Sequence, residues 1–205
     1  IRFQAYQHAL RLKPDMAKAY TNLGVTFRRL GQADAAIGVY EEALKLDPDD
    51  IVTLDNLLSA AQWSGDQERI AFALRRLAEL EPEKIDRQLP WGEYLYRSGQ
   101  YLEAARVYER IVQSEPNISE NYYLLGLCYF DGQQWNAAEA AWKRGLEHAS
   151  EHPSIHKALA VLYWTRGDYM QAWQAVKQCQ ALNIPLDPEF LDSLQQDSGK
   201  NAPNP

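Results

Sequence analysis

His148, His152 and His156 stand four residues apart and are the first constellation in this sequence able to do chemistry. On one unbroken helix they would share a face and could hold a metal ion. Pro153 lies between the last two and ends a helix there, so the set is expected as three solvent-exposed histidines. His8 has no Ser, Cys or carboxylate constellation beside it. Cys128 and Cys179 are far apart and follow neither metal nor redox spacing. Both fall at helical core positions, where buried free thiols are expected. Every glycine reads as a helix contact or a turn, so no phosphate-cradling loop is present. No Ser-centred elbow and no Cys–His pair appears. The chain thus offers no catalytic set and calls for no cofactor or metal. Asn117-Ile118-Ser119 matches a glycosylation sequon, meaningful only in a eukaryotic secretory setting.

Composition narrows the partners. The 205 residues are 46% apolar and 24% charged, with net charge −7. An acidic chain lacks the Lys/Arg patches that phosphates reward, which argues against nucleic acid. It suits a neutral or basic partner. No apolar run approaches the roughly 20 residues needed to span a bilayer. A soluble protein is expected, with cytoplasm favoured over periplasm and the compartment left open.

The elements that would position any site have a fixed period. In residues 17–50, Tyr20, Leu23, Gly24 and Phe27 fall on one helical face, Gly31 breaks the chain, and Ala36, Tyr40 and Ala43 continue before Pro48. Small Gly24 and Ala36 let two helices approach, and the large residues fill the grooves beside them. This pattern over thirty-four residues resembles the tetratricopeptide repeat.

The frame holds along the chain. Residues 51–84 are a weaker copy, with Leu58 in place of the small glycine and Ile70 and Leu77 in place of alanines, so its helix crossing is expected to be wider or repacked. Residues 85–118 carry Trp91, Gly92, Leu95, Gly99, Ala104 and Tyr108. Pro90 predicts a first helix starting near Leu89, with 81–88 as a longer connection. Residues 119–152 carry Tyr122, Gly126 and Trp142, with Gly132 one place earlier than the other turn glycines. Residues 153–186 carry Leu159, Ala160, Gly167 and Ala172. Residues 1–16 match only a second helix, through Tyr6, Ala9 and Pro14. Their apolar face of Phe3, Tyr6 and Leu10 implies either more chain upstream or a covering partner, which could be a second copy in a homo-oligomer through this half-unit. Residues 187–197 read as a capping helix and 198–205 as a disordered tail. The resemblance implies one all-α solenoid over 1–197, a right-handed superhelix of antiparallel helix pairs with five full units.

The same resemblance implies a concave groove lined by the second, fifth, ninth, twelfth and thirteenth places of each unit. Its C-terminal half would hold Tyr96, Tyr123, Leu127, Phe130, Val161 and Trp164. Aromatic anchors suit an interface, although aromatics at the twelfth place also pack against their neighbours. Asp55, Asp86, Glu93, Glu120 and Asp131 would form an acidic stretch. It could attract a Lys/Arg-bearing ligand or serve as solvated surface. Some members of the family clamp the C-terminal carboxylate of chaperones with paired Lys and Asn. Here Lys157 has no Asn after it, so that clamp is not expected. Asn22 and Asn56 do not make the asparagine ladder of the family's sugar transferases. The expected function is a non-catalytic scaffold that binds a peptide segment or partner helix. The alternatives are a self-assembling solenoid and a regulatory arm of an enzyme whose catalytic part lies elsewhere.

Overall fold

The thirty-four-residue period becomes helix pairs because one residue near the midpoint of each unit, a glycine in four of the five, turns the chain left-handed. The computed structural model describes residues 17–199. Its eleven helices among the described residues are α1 Ala17–Arg29, α2 Ala33–Leu46, α3 Ile51–Ser64, α4 Gln67–Leu80, α5 Ile85–Arg97, α6 Tyr101–Ser114, α7 Ser119–Asp131, α8 Trp135–His148, α9 Pro153–Thr165, α10 Tyr169–Ala181 and α11 Pro188–Ser198. Gly31, Gly65, Gly99 and Gly167 have φ of 77°, 77°, 76° and 74°. After each, the next amide reaches back to the final turn of the first helix, as Gln32 N to Phe27 O at 3.0 Å and Asp168 N to Tyr163 O at 2.8 Å. That bond satisfies a carbonyl left over at the helix end. In the fourth turn the left-handed residue is Gln133, at φ 60°. Gly132 keeps an ordinary φ of −75°. Its role is steric: a Cβ there would meet Leu102 Cδ2 at 2.7 Å and the Cys128 carbonyl at 2.9 Å.

The chain divides into two compact units between Trp91 and Gly92. In the first, Ala36, Tyr40, Leu54, Leu57 and Leu77 form the core of α1 to α4. In the second, Ala138, Trp142, Ile155, Leu159 and Val176 form the core, which Leu194 of α11 joins. Volume is traded across each helix pair. A Cβ on Gly24 would lie 2.3 Å from the Tyr40 ring, and one on Gly126 would lie 2.0 Å from Trp142. Where Leu58 takes the glycine's place, the residue in Tyr40's place is the smaller Leu74, buried in the core. Where Ala160 stands there, its counterpart is Val176. The second repeat is therefore repacked, keeping the summed volume near what a close-packed interior needs.

Pro90 lies inside α5. The expected late start near Leu89, with 81–88 as a connection, is corrected: the helix begins at Ile85. Two side chains hold the turn ahead of the proline. The Gln88 amide donates to Ala78 O at 2.7 Å from a buried position. Arg87 reaches Asp55 and Glu81. The proline removes only the hydrogen bond to the Asp86 carbonyl, on a residue that faces water.

Asp187 caps α11 by accepting from Glu189 N at 2.9 Å, and Pro188 opens the helix. Ser198 belongs to this helix and accepts from Trp173 Nε1 at 3.2 Å, so the expected tail does not start there. The half-unit 1–16, with Phe3, Tyr6 and Leu10, and the tail beyond Gly199 lie outside the described residues.

The histidines are not uniformly exposed. His148 is exposed on α8 and stacks on Tyr122 at 5.5 Å. His152 is half-buried and pairs with Glu120 at 3.0 Å. His156 is buried, its Nε2 2.7 Å from Ser150 O. The break falls ahead of Pro153, which opens α9: His148 ends α8, His152 is the N-cap of α9 and His156 lies within it. Among the described residues, no three His, Cys, Asp or Glu side chains gather as a metal site. Cys128 and Cys179 are free and buried. Burial, with Asp131 nearby, pushes the Cys128 thiol up to about 12, and burial also raises Cys179.

Candidate functional site

Helix periodicity places Tyr123, Leu127 and Phe130 along one stripe of α7, and Ser154, Lys157, Ala158 and Val161 along one stripe of α9. The two stripes face a cavity of about 290 Å³ in the second unit, with Trp142 of α8 at its base. The site is aromatic and aliphatic on its walls. Trp142 is fixed from two sides: its Nε1 donates to Tyr123 O at 3.0 Å, and its ring lies 5.9 Å from Phe130. Lys157 is the one charged side chain lining the cavity, and it makes no ion pair among the described residues. At one end the His152 ring lies 5.9 Å from that of Tyr123. Burial raises the Tyr123 hydroxyl's pKa, Glu120 adds to this, and the Ser154 hydroxyl offsets part of it.

Four of the expected groove residues thus meet: Tyr123, Leu127, Phe130 and Val161. Tyr96 and Trp164 lie outside this cavity and are engaged elsewhere. The Tyr96 hydroxyl donates to Asp131, and its ring meets Tyr101 edge-on at 5.5 Å. Trp164 Nε1 donates to Asp197 Oδ2 at 2.8 Å, and its ring packs edge-on against Phe190 at 5.6 Å. The acidic residues are mostly occupied as well. Asp55 takes both terminal nitrogens of Arg87, at 2.5 and 2.8 Å. Glu93 sits 3.7 Å from Arg97, Asp131 accepts from Tyr96 and Glu120 pairs with His152. Trp142, Ser154 and Ala158 were not named as site residues by the sequence reading, which did place Lys157 at the fifth, groove-facing place of its unit. Trp142 stands where the first and third repeats carry the packing aromatics Tyr40 and Tyr108, and nothing in the sequence set it apart from them.

A tetratricopeptide repeat family model matches residues 17–50, and a second tetratricopeptide repeat model matches residues 95–162. The chain belongs to the tetratricopeptide repeat family. Such repeats are protein-interaction modules, and this tetratricopeptide protein has the architecture of an interaction scaffold. It is 26% identical over 153 residues to human Superkiller complex protein 3, covering 74% of this chain and 9% of that protein. It is 24% identical over 164 residues to human Protein O-mannosyl-transferase TMTC3, covering 78% of this chain and 18% of that protein. The chain therefore spans less than a fifth of each of these two relatives. Among solved structures it resembles YrrB, described as a TPR protein with an unusual peptide-binding site. That likeness has a TM-score of 0.64 at 17% identity, covering 94% of this chain and 98% of YrrB. Among the described residues, no helix is long and apolar enough to cross a membrane.

Proposed function

We propose that the cavity between α7 and α9 seats an apolar side chain of a partner protein's peptide segment, without catalysis. The observation that carries this reading is the convergence of Tyr123, Leu127, Phe130 and Val161 on one concavity. Aromatic and aliphatic walls at this scale contribute binding through burial of apolar area, and a few such anchors supply most of an interface's energy. Lys157 at the wall favours a segment with a polar or acidic residue beside the anchor. The peptide-binding site named for YrrB supports the reading by likeness of fold. Neither thiol supports a competing nucleophilic reading: both are buried, and burial raises their pKa values.

The test is a photo-crosslinking amino acid placed at Leu127, compared with one at exposed Met170, in extract of the source cell. A protein cross-linked from Leu127 and not from Met170, and lost in a Val161→Glu background, is the expected result. Identical products from both positions would remove the cavity from consideration.

A further inference from the structure

The second unit carries another concavity, on a different face of α7 and walled by α6 and α8. It measures about 490 Å³ and is lined by Glu109 and Gln113 of α6, Tyr122 and Tyr129 of α7, and Ala137, Ala140, Ala141 and Arg144 of α8. A furrow of about 430 Å³ occurs sixty-eight residues earlier in the first unit, with Glu41, Leu44, Lys45, Arg69 and Phe72 around it. The two differ in lining more than in room.

In the first unit, the Glu41 carboxylate is bridged by Arg69 at 3.0 Å. Phe72 stands in the furrow, and Arg76 is held by Asp49 and Glu79. In the second unit the residues at the places of Arg69, Phe72 and Asp49 are Ala137, Ala140 and Asn117. The first two changes open space, and the third takes from Arg144 one of the two carboxylates that hold Arg76, while Glu147 keeps the place of Glu79. Glu109, which corresponds to Glu41, has no arginine opposite it and accepts from the Tyr129 hydroxyl. Arg144, which corresponds to Arg76, makes no ion pair among the described residues and lies over the Tyr122 ring, 5.4 Å from its centroid. Tyr122, which replaces Leu54, is 1% exposed, and its hydroxyl has no hydrogen-bond partner among the described residues. A buried hydroxyl without a partner is uncommon and costly.

We infer that this furrow between α6 and α8 is a second docking site, which takes an acidic side chain of a partner protein's segment. Arg144, the Gln113 amide and the Tyr122 hydroxyl supply the donors. A guanidinium and a hydroxyl together match a carboxylate. Ala137, Ala140 and Ala141 let the segment's backbone come close, and the tyrosine rings flank it. From Ala137 to Arg144 the wall runs about 10 Å, the reach of about three extended residues. Gln113 and Arg144 are exposed, so the furrow is open along its outer side. That suits a chain that enters and leaves, where a free small molecule would need enclosure. The inference stands apart from the α7–α9 cavity and does not depend on it.

The test uses the full chain labelled with ¹³C at alanine methyls. It is titrated with three capped nonapeptides, made of three Glu-Ala-Leu, three Gln-Ala-Leu or three Lys-Ala-Leu repeats. The expected result is that the Glu peptide shifts the methyls of Ala137, Ala140 and Ala141, and that the Gln peptide binds about tenfold more weakly or worse. Arg144→Gln and Tyr122→Phe each weaken the Glu peptide by about tenfold. Ala137→Arg, which restores the first unit's ion pair with Glu109, abolishes its binding while the circular-dichroism spectrum is unchanged. If that variant does not fold, exposed Arg144→Gln decides. Equal binding of the Glu and Gln peptides, no shift with any peptide, or indifference to Arg144→Gln overturns the inference. Shifts that follow protein concentration without peptide would put a second copy in the furrow and overturn it too.

Discussion

Arg87 holds Asp55 with both ends of its guanidinium, Nη1 at 2.5 Å and Nη2 at 2.8 Å, joining the first turn of α5 to the second turn of α3. The pairing, set against the cost of partial burial, raises the Arg87 pKa further above its ordinary value. Both side chains remain partly in water, so the pair is screened. Asp55→Ala should cost about 1 kcal/mol at low salt and less at 1 M salt. Urea denaturation at the two ionic strengths reads this. A cost independent of salt would mean that the Asp55 stem, and not its charge, is what matters.

Glu139 gives the pH dependence its sign. Burial pushes its carboxyl up, but hydrogen bonds from Lys143, Tyr163 and Arg166 outweigh it, and the net shift is downward. A group with a depressed folded-state pKa contributes stability above its unfolded value, about 4.3, and loses it as pH falls through the folded value. Wild type should therefore exceed Glu139→Gln in melting temperature at pH 7, with the gap closing in acid below about pH 4.3. A gap that is constant from pH 7 to pH 3 would refute the assignment.

The trade of volume between paired helices predicts a coupled pair. Gly24→Ala alone drives a methyl into the Tyr40 ring and should cost about 1–3 kcal/mol. Tyr40→Leu in the same chain should return part of that, because the smaller side chain vacates the space that the methyl enters. A double-mutant cycle from thermal melts measures the coupling. Additive costs would show that the two residues do not share one space.

Adjacent positions in the fourth turn should respond oppositely. Gln133→Gly relieves a left-handed residue with a side chain and should stabilise by about 1 kcal/mol. Gly132→Ala forces a Cβ against Leu102 and the Cys128 carbonyl and should destabilise by about 1–3 kcal/mol. Melting temperatures of the two variants check this, and shifts of the same sign would contradict the turn geometry.

The family and the helix pairs were legible because a thirty-four-residue period is written in local residues: glycine at four of the five turns, and small against large where Gly24 and Gly126 cross Tyr40 and Trp142. The start of α5 was not. Its determinants are Gln88 reaching Ala78 and Arg87 reaching Asp55, contacts made across elements that outweigh the local bias of Pro90. The α7–α9 stripe was partly legible, since the family resemblance marks the fifth, ninth and twelfth places, which Tyr123, Leu127, Val161 and Phe130 occupy, as groove-facing. The engagement of Trp164 by Phe190 and Asp197 could not be read, because it depends on how α11 folds back. The Gln133 turn was hidden because a glycine one residue earlier looked like the turn residue and proved to be a packing residue.

Cys128 and Cys179 are the only two thiols of the chain, and both lie beyond the division at Gly92. With Cys128 pushed up to about 12, about one thiol in a hundred thousand is ionised at pH 7, and none is within reach of solvent. Alkylation must then wait for the helices around it to open. The protein thus carries its own stopwatch for the breathing of one half of the chain, and the other half runs unclocked.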